Sequence, residues 1–139
     1  MTSHTMMPKT SRGPKWLVDF PTGWIVEHRK NRVTARSPRG AELEFTTFVP
    51  KDSGTDAATW IKTAAHVDRQ KGRTVVPAKC GDFRGYETRF VSRGQLIHGW
   101  VLAAGDLPLD VTYKCDEADV GHEEAELRAM LATLRRTGA

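Results

Sequence analysis

Residues 96–104 read LIHGWVLAA. Side chains alternate between the two faces of a strand. That alternation puts Leu96, Trp100 and Leu102 on one face and Ile97, Val101 and Ala103 on the other. A strand that is apolar on both faces has to be covered on both faces. The breaks SRG before it and GDLP after it keep it at strand length. This segment therefore calls for a sheet with something packed on each side.

The rest of the chain offers strands and two helices to do the covering. KWLVDF alternates Trp16, Val18 and Phe20 against Leu17 and Asp19. PTG makes a turn, because proline fixes one backbone angle and glycine frees the next. WIVEH resumes extended structure, RKNR is a charged hairpin turn, and VTARS is the next strand. AELEFTTFV alternates most clearly, with Ala41, Leu43, Phe45, Thr47 and Val49 facing one way. Glu42, Glu44, Thr46 and Phe48 face the other, where Phe48 is out of place. From Ala57, apolar residues recur at 57, 60, 61, 64 and 67, which is one face of a helix that Gly72 ends. TVVPA, YETRFV, LIHGWVLAA and LDVTYK follow as strands. A last helix is expected from His122 to Arg136, with Leu127, Met130, Leu131 and Leu134 as its apolar stripe. The fold class is α+β: a largely antiparallel sheet flanked by two α-helices, one on each face. In that arrangement Trp24 closes one end of the core, where the early hairpin folds over the sheet.

At 139 residues the chain suits one domain. A compact domain of this size buries roughly 68% of its unfolded surface and needs no metal or disulfide to fold. Residues 1–14 lack periodicity and read as a flexible N-terminal tail, leaving 15–139 as the domain. The N-terminus has no apolar core of a signal peptide, and no stretch has the ~18 apolar residues of a membrane span. The expected location is the cytoplasm. There Cys80 and Cys115 stay reduced and serve as small apolar filler.

The quoted elements carry a resemblance. FPTGW near the start, RGYETRF in the middle, LDVTY late and EEAELRAMLATLRR at the end carry a match over about residues 15–136. In their order they resemble the PsbP-like superfamily, which includes photosystem proteins, a nuclear Ran-binding factor, and bacterial DcrB-like and Eag-type secretion chaperones. The resemblance implies an α/β/α sandwich. It also implies an accessory role in binding other proteins, and it brings no catalytic residue set. The sequence departs from the lipoprotein members in having no lipidation cysteine beside a signal peptide.

Enzyme chemistry finds little support. Five histidines are present, with no i, i+4 pair on one helix and no H-x-H. There is no G-x-S-x-G, P-loop or dinucleotide fingerprint. No cofactor and no metal site is expected. His98 shares a strand face with Leu96, Trp100 and Leu102, and is either a hydrogen-bonded core histidine or a pocket group. Tyr86, Tyr113 and Arg89 would join it in such a pocket.

Residues 28–40, HRKNRVTARSPRG, hold five Lys/Arg and no acid. They read as a solvated hairpin face, or as a patch for phosphate or an acidic protein. No aromatic interleaves them, as a single-strand binder would need, so no specific nucleic acid is expected. The net charge of +4 permits an acidic partner without requiring one. Exposed aromatics at sheet edges mark interfaces. Trp16, Trp24 and Phe48, with Arg32 and Arg36, are the interface candidates, unless a β-bulge turns Phe48 inward. The expectation is a non-catalytic, chaperone-like accessory domain whose partner is another protein, with a homodimer allowed. The alternative is a small-molecule or apolar-peptide binder with a pocket near His98 and Trp100.

Overall fold

The computed structural model describes residues 9–13, 15–47 and 56–137. The strands are β1 (Lys9–Gly13), β2 (Trp16–Phe20), β3 (Ile25–Arg29), β4 (Arg32–Arg36), β5 (Glu42–Thr47), β6 (Val76–Cys80), β7 (Phe83–Ser92), β8 (Gln95–Ala104), β9 (Leu107–Asp116) and β10 (Arg135–Arg136). Helix α1 (Ala57–Gln70) follows β5, and α2 (Glu124–Leu131) precedes β10. One antiparallel sheet runs β3-β4-β5-β9-β8-β7-β6, and a second runs β1-β2-β10.

Register sorts the large sheet into two faces. Leu43 and Phe45 lie beside Tyr113 and Val111, which lie beside His98 and Trp100. These residues are buried and form the inner face. The small sheet and α2 close over it. Trp16, Val18 and Phe20 of β2 and Leu127, Met130 and Leu131 of α2 belong to the same core. Trp16 and Phe45 rings are 5.0 Å apart, and Phe20 meets Phe45 edge-on at 5.9 Å. The Trp16 indole N–H donates to Thr47 Oγ1 at 2.8 Å, so a large aromatic is buried with its polar atom satisfied. Trp24 packs on Phe20, and its Nε1–H donates to Glu126 of α2 at 3.1 Å. Gly23 makes the preceding turn at φ +95, a conformation that favours glycine.

The outer face carries α1 over β7 and β8. Asp56 caps the helix by accepting from the Thr59 N–H at 2.7 Å. The Tyr86 hydroxyl donates to Asp68, and the Arg73 guanidinium sits 3.8 Å above the Phe90 ring. Only Ala57 and Ala65 of α1 are buried. Trp60, Ile61 and Ala64 are half-buried, and Val67 is exposed.

The α+β sheet with a helix on each face is the expected architecture; the second small sheet is not. Lys9–Gly13, expected within a flexible tail, is a strand paired with β2 over its whole length. KTSRG has no apolar alternation to announce it. Backbone pairing holds it, with a Thr10–Asp19 hydrogen bond of 2.6 Å. The last helix is also shorter than expected. It ends at Leu131, and Arg135 and Arg136 pair with Leu17 and Trp16. Thr133 marks the exit: its hydroxyl donates to the Met130 carbonyl and accepts from the Asp19 N–H. Beyond it the Leu134 carbonyl accepts from the Asp82 N–H at 2.9 Å. A Cβ at Gly81 would lie 2.0 Å from that carbonyl oxygen, so the approach needs glycine.

Candidate functional site

Helix α1 makes its main sheet contacts with β7 and β8. Beyond them, the outer face of β3, β4, β5 and β9 presents polar rows whose partners are set by register. One row is Ile25, Arg36, Glu42 and Lys114; the next is Glu27, Thr34, Glu44 and Thr112; the third is Arg29, Arg32, Thr46 and Asp110. The first two rows, with Arg29 and Arg32 of the third, border a hollow of about 450 Å³. Arg36 meets Glu42 at 3.4 Å, while Arg32–Glu44 and Arg29–Glu27 stand at 3.8 Å. Arg39 meets Asp119 at 3.8 Å. The run read as a basic patch is thus interleaved with carboxylates from its own and neighbouring strands, which weakens its field.

Asp110 lies where this polar tract meets the α1 side. Burial, then the charges of Glu44 and Asp68, pushes its carboxyl up to about 6. Sequence reading missed it, although the alternation of LDVTYK already sets Asp110, Thr112 and Lys114 on one face.

The inner face has a polar cluster of its own. His98 Nε2 lies 2.9 Å from Glu87 Oε1, and Arg128 of α2 reaches both oxygens of Glu87 at 2.8 and 3.2 Å. Burial holds the His98 pKa below the ordinary histidine value, against the pull of Glu87. Burial alone would raise Glu87, but the hydrogen bonds from Arg128 and His98 outweigh it and leave the carboxylate lowered. The Glu87 carboxylate can only accept, so the neutral imidazole carries its proton on Nε2. The His98 ring stacks on Trp100 at 3.9 Å, and the buried Trp100 Nε1 has no hydrogen-bond partner among the described residues. Nearby, Tyr113 and Ser37 both donate to buried Glu123, at 2.8 and 3.1 Å. Neither Glu87 nor Arg128 was foreseen, because 41 residues separate them in sequence.

The pocket candidates do not form one site. His98, Trp100 and Tyr113 lie on the inner face, with His98 and Trp100 at 1% and 0% exposed. Tyr86 lies on the opposite face under α1, so the sheet separates it from them. Arg89 sits at the inner-face rim, 3.6 Å from Glu124. The interface candidates divide as well. Trp16 and Trp24 are buried core residues rather than surface ones, because the small sheet and α2 cover them. Arg32 and Arg36 stand exposed on the outer face. Phe48 lies outside the described residues. Cys80 and Cys115 are free and buried, and burial pushes the Cys80 thiol up to about 11.

Among the described residues, no group of three or more His, Cys, Asp or Glu could hold a metal ion. No helix among them is long and apolar enough to cross a membrane.

No protein-family model matches the chain, and no curated protein matches it. Solved structures do. A crystal structure from Bacteroides thetaiotaomicron aligns with a TM-score of 0.61 at 14% identity, over 89% of this chain. The alignment takes in 46% of the Bacteroides chain, so this protein spans about half of its length. The cyanobacterial PsbP (CyanoP) of Synechocystis sp. PCC 6803 aligns with a TM-score of 0.57 at 13% identity, over 94% of this chain and 93% of that one. Identity at that level speaks to fold alone, and the fold is PsbP-like.

Proposed function

We propose that this is a non-catalytic accessory domain that binds another protein through the outer face of β3, β4, β5 and β9. The observation that carries the reading is the polar tract beyond the helix. Its charges stand in fixed rows across four strands around an open hollow. Complementary charge rows select a partner and fix its register more than they add affinity. The residues best suited to chemistry support the same reading from the other side. His98 is shut into the core and its neighbours are neutral or paired, and both thiols are buried. The resemblance to accessory and chaperone-like PsbP-like proteins points the same way. The buried, unpaired cysteines favour a cytoplasmic location.

The test compares cross-linked partners captured from source cells by the wild-type chain and by an Arg36→Glu/Lys114→Glu variant. The expected result is a partner retained by the wild type and lost from the variant, with the melting temperature unchanged. An identical set for both chains would overturn the assignment of this face.

A further inference from the structure

β3 is an edge strand of the large sheet, hydrogen-bonded to β4 alone among the described residues. Four of its five residues are exposed, and Ile25 is 68% exposed. The direction of its backbone groups follows from β4. The Thr47 N–H donates to the Asn31 carbonyl, and the Ser37 N–H to the Ala41 carbonyl. Odd-numbered residues of β4 therefore turn their backbone groups toward β5, and even-numbered ones toward β3. Through the register Arg29–Arg32, Glu27–Thr34 and Ile25–Arg36, residues 25, 27 and 29 of β3 are bonded to β4. Val26 and His28 present their N–H and C=O groups at the open edge.

The charges on this edge are unbalanced along each row. Arg29 stands directly opposite Arg32, and like charges directly opposite are unfavourable. Glu27 begins a row that contains a second carboxylate, Glu44, and no cation among β3, β4 and β5. Taken across the strands, each row lacks the opposite charge at its β3 end. Among the described residues, the only contacts that relieve this are the long ones between rows, Arg29–Glu27 and Arg32–Glu44 at 3.8 Å.

We propose that β3 pairs antiparallel with β3 of a second copy of this chain, with His28 opposite His28 of that copy. A two-fold axis normal to the sheet requires that residues of like face oppose each other. The registers that also pair the open groups are then spaced two residues apart. Centring on Glu27 would set Glu27 against Glu27, and centring on Arg29 would set Arg29 against Arg29. Centring on His28 sets Glu27 opposite Arg29 of the second copy, and Arg29 opposite its Glu27. One row becomes Arg29 of the second copy, then Glu27, Thr34 and Glu44. The other becomes Glu27 of the second copy, then Arg29 and Arg32. Each row gains the charge it lacks, and His28 exchanges both backbone hydrogen bonds with its counterpart, while Val26 falls opposite Lys30 in the turn after β3. The result is a continuous sheet across two copies, with their polar outer faces side by side. A single strand pair buries well under the roughly 1,200 Å² of a standard interface, so the dimer is weak, with a Kd on the order of 100 μM.

The experiment is sedimentation velocity on the full chain from about 10 μM to about 1 mM, a range that brackets that affinity. Wild type is expected to shift from monomer to dimer. Glu27→Arg and Arg29→Glu each weaken the dimer at least about tenfold by placing like charges opposite one another. The double swap Glu27→Arg/Arg29→Glu restores it, because the pairs re-form with reversed sign. His28→Pro abolishes it, since proline removes the open-edge N–H and leaves the bonds to β4 in place. Glu27 and Arg29 side chains are 67% and 69% exposed, so these variants keep the fold, and a thermal melt confirms it. A monomer throughout the range, a dimer indifferent to Glu27→Arg, or a double swap that fails to recover dimer overturns the proposal. None of these residues is changed in the partner-capture test, so the two ideas can fail separately.

Discussion

The large sheet carries two arginine–glutamate systems, one on each face. On the inner face Arg128 holds Glu87, which in turn holds His98, with the Glu87 side chain 14% and the His98 side chain 2% exposed. On the outer face Arg36 and Glu42 meet while both are 60% exposed. The side chains are of the same kind, but their surroundings give them different tasks. A buried carboxylate that lost its partners would be left desolvated, so the inner cluster fixes how α2 seats on the sheet. An exposed pair contributes about 0–1 kcal/mol and its carboxylate and guanidinium remain open to an incoming partner. Stability resides on the inner face, and the proposed recognition on the outer.

The largest effect should come from the floor of the inner cluster. Trp100 is fully buried and stacks under His98. Trp100→Ala is expected to cost about 3–5 kcal/mol in chemical denaturation. A loss below about 1 kcal/mol would place Trp100 in an open cavity and reverse the roles of the two faces.

Next is Glu87→Gln, expected to cost about 1–3 kcal/mol at pH 7 by weakening the bonds to Arg128 and His98. Its pH dependence separates the cluster from the rest. The Glu87 carboxyl is lowered in the fold, so its contribution is present above its ordinary value of 4.5 and is lost as pH falls through the folded value. His98 is also lowered, so the unfolded chain takes up a proton that the fold refuses, and stability declines as pH drops below 6.5. Wild type should lose the His98 contribution from near pH 6.5, offset in part by protonation of Asp110 near 6, and lose the Glu87 contribution below 4.5. Glu87→Gln should show a smaller second loss, the remainder coming from carboxyls such as Asp19 and Asp106 that are also lowered in the fold.

What the sequence disclosed follows the same division. Alternation alone placed Leu43 and Phe45, and Leu96, Trp100 and Leu102, on the face that is in fact the core. Trp24 beside PTG was legible as a plug for one end of it. The inner cluster was not, because Glu87 and Arg128 come from a strand and a helix that meet only after the sheet has closed. Nor was β10, whose arginines looked like the basic end of a helix. They become a strand because the main chain there docks on β2 and on the turn at Gly81. The outer tract was half legible. The charges of residues 28–40 and the flanking Glu27, Glu42 and Glu44 that dilute them were plain in the sequence, while which arginine meets which carboxylate required the register of β5 against β4.

A smaller effect, of opposite sign, is expected at the boundary of the outer tract. Asp110 is raised from 3.8 to about 6 by burial and by Glu44 and Asp68. Its folded form holds a proton more tightly than its unfolded form, so ionising it above about pH 6 works against the fold. Asp110→Asn should therefore stabilise the protein by about 1–2 kcal/mol at pH 7. The gain should shrink as pH falls through 6 and vanish below 3.8, where both forms are neutral. Melts of the two proteins from pH 3 to pH 8 read this directly, and a gain that persists at low pH would mean that packing rather than charge caused it.

The smallest effect should come from the outer ion pairs. Arg32 and Arg36 side chains are 53% and 60% exposed, and their carboxylate partners are 42% and 60% exposed. Arg32→Glu and Arg36→Glu should each change stability by no more than about 0.5 kcal/mol, because water and salt screen the pairs they break. The double variant should also differ little from wild type in binding short DNA duplexes, since the wild-type arginines already face carboxylates. Any DNA binding by the wild type should be weak and disappear by about 200 mM salt, as for contacts made only to phosphates. Duplex binding that survived that salt and collapsed on charge reversal would make the outer face a nucleic-acid surface rather than a protein one. A stability loss as large as that of Glu87→Gln would be more damaging. It would mean that the outer charges also hold the sheet together, and the division of labour between the two faces would not stand.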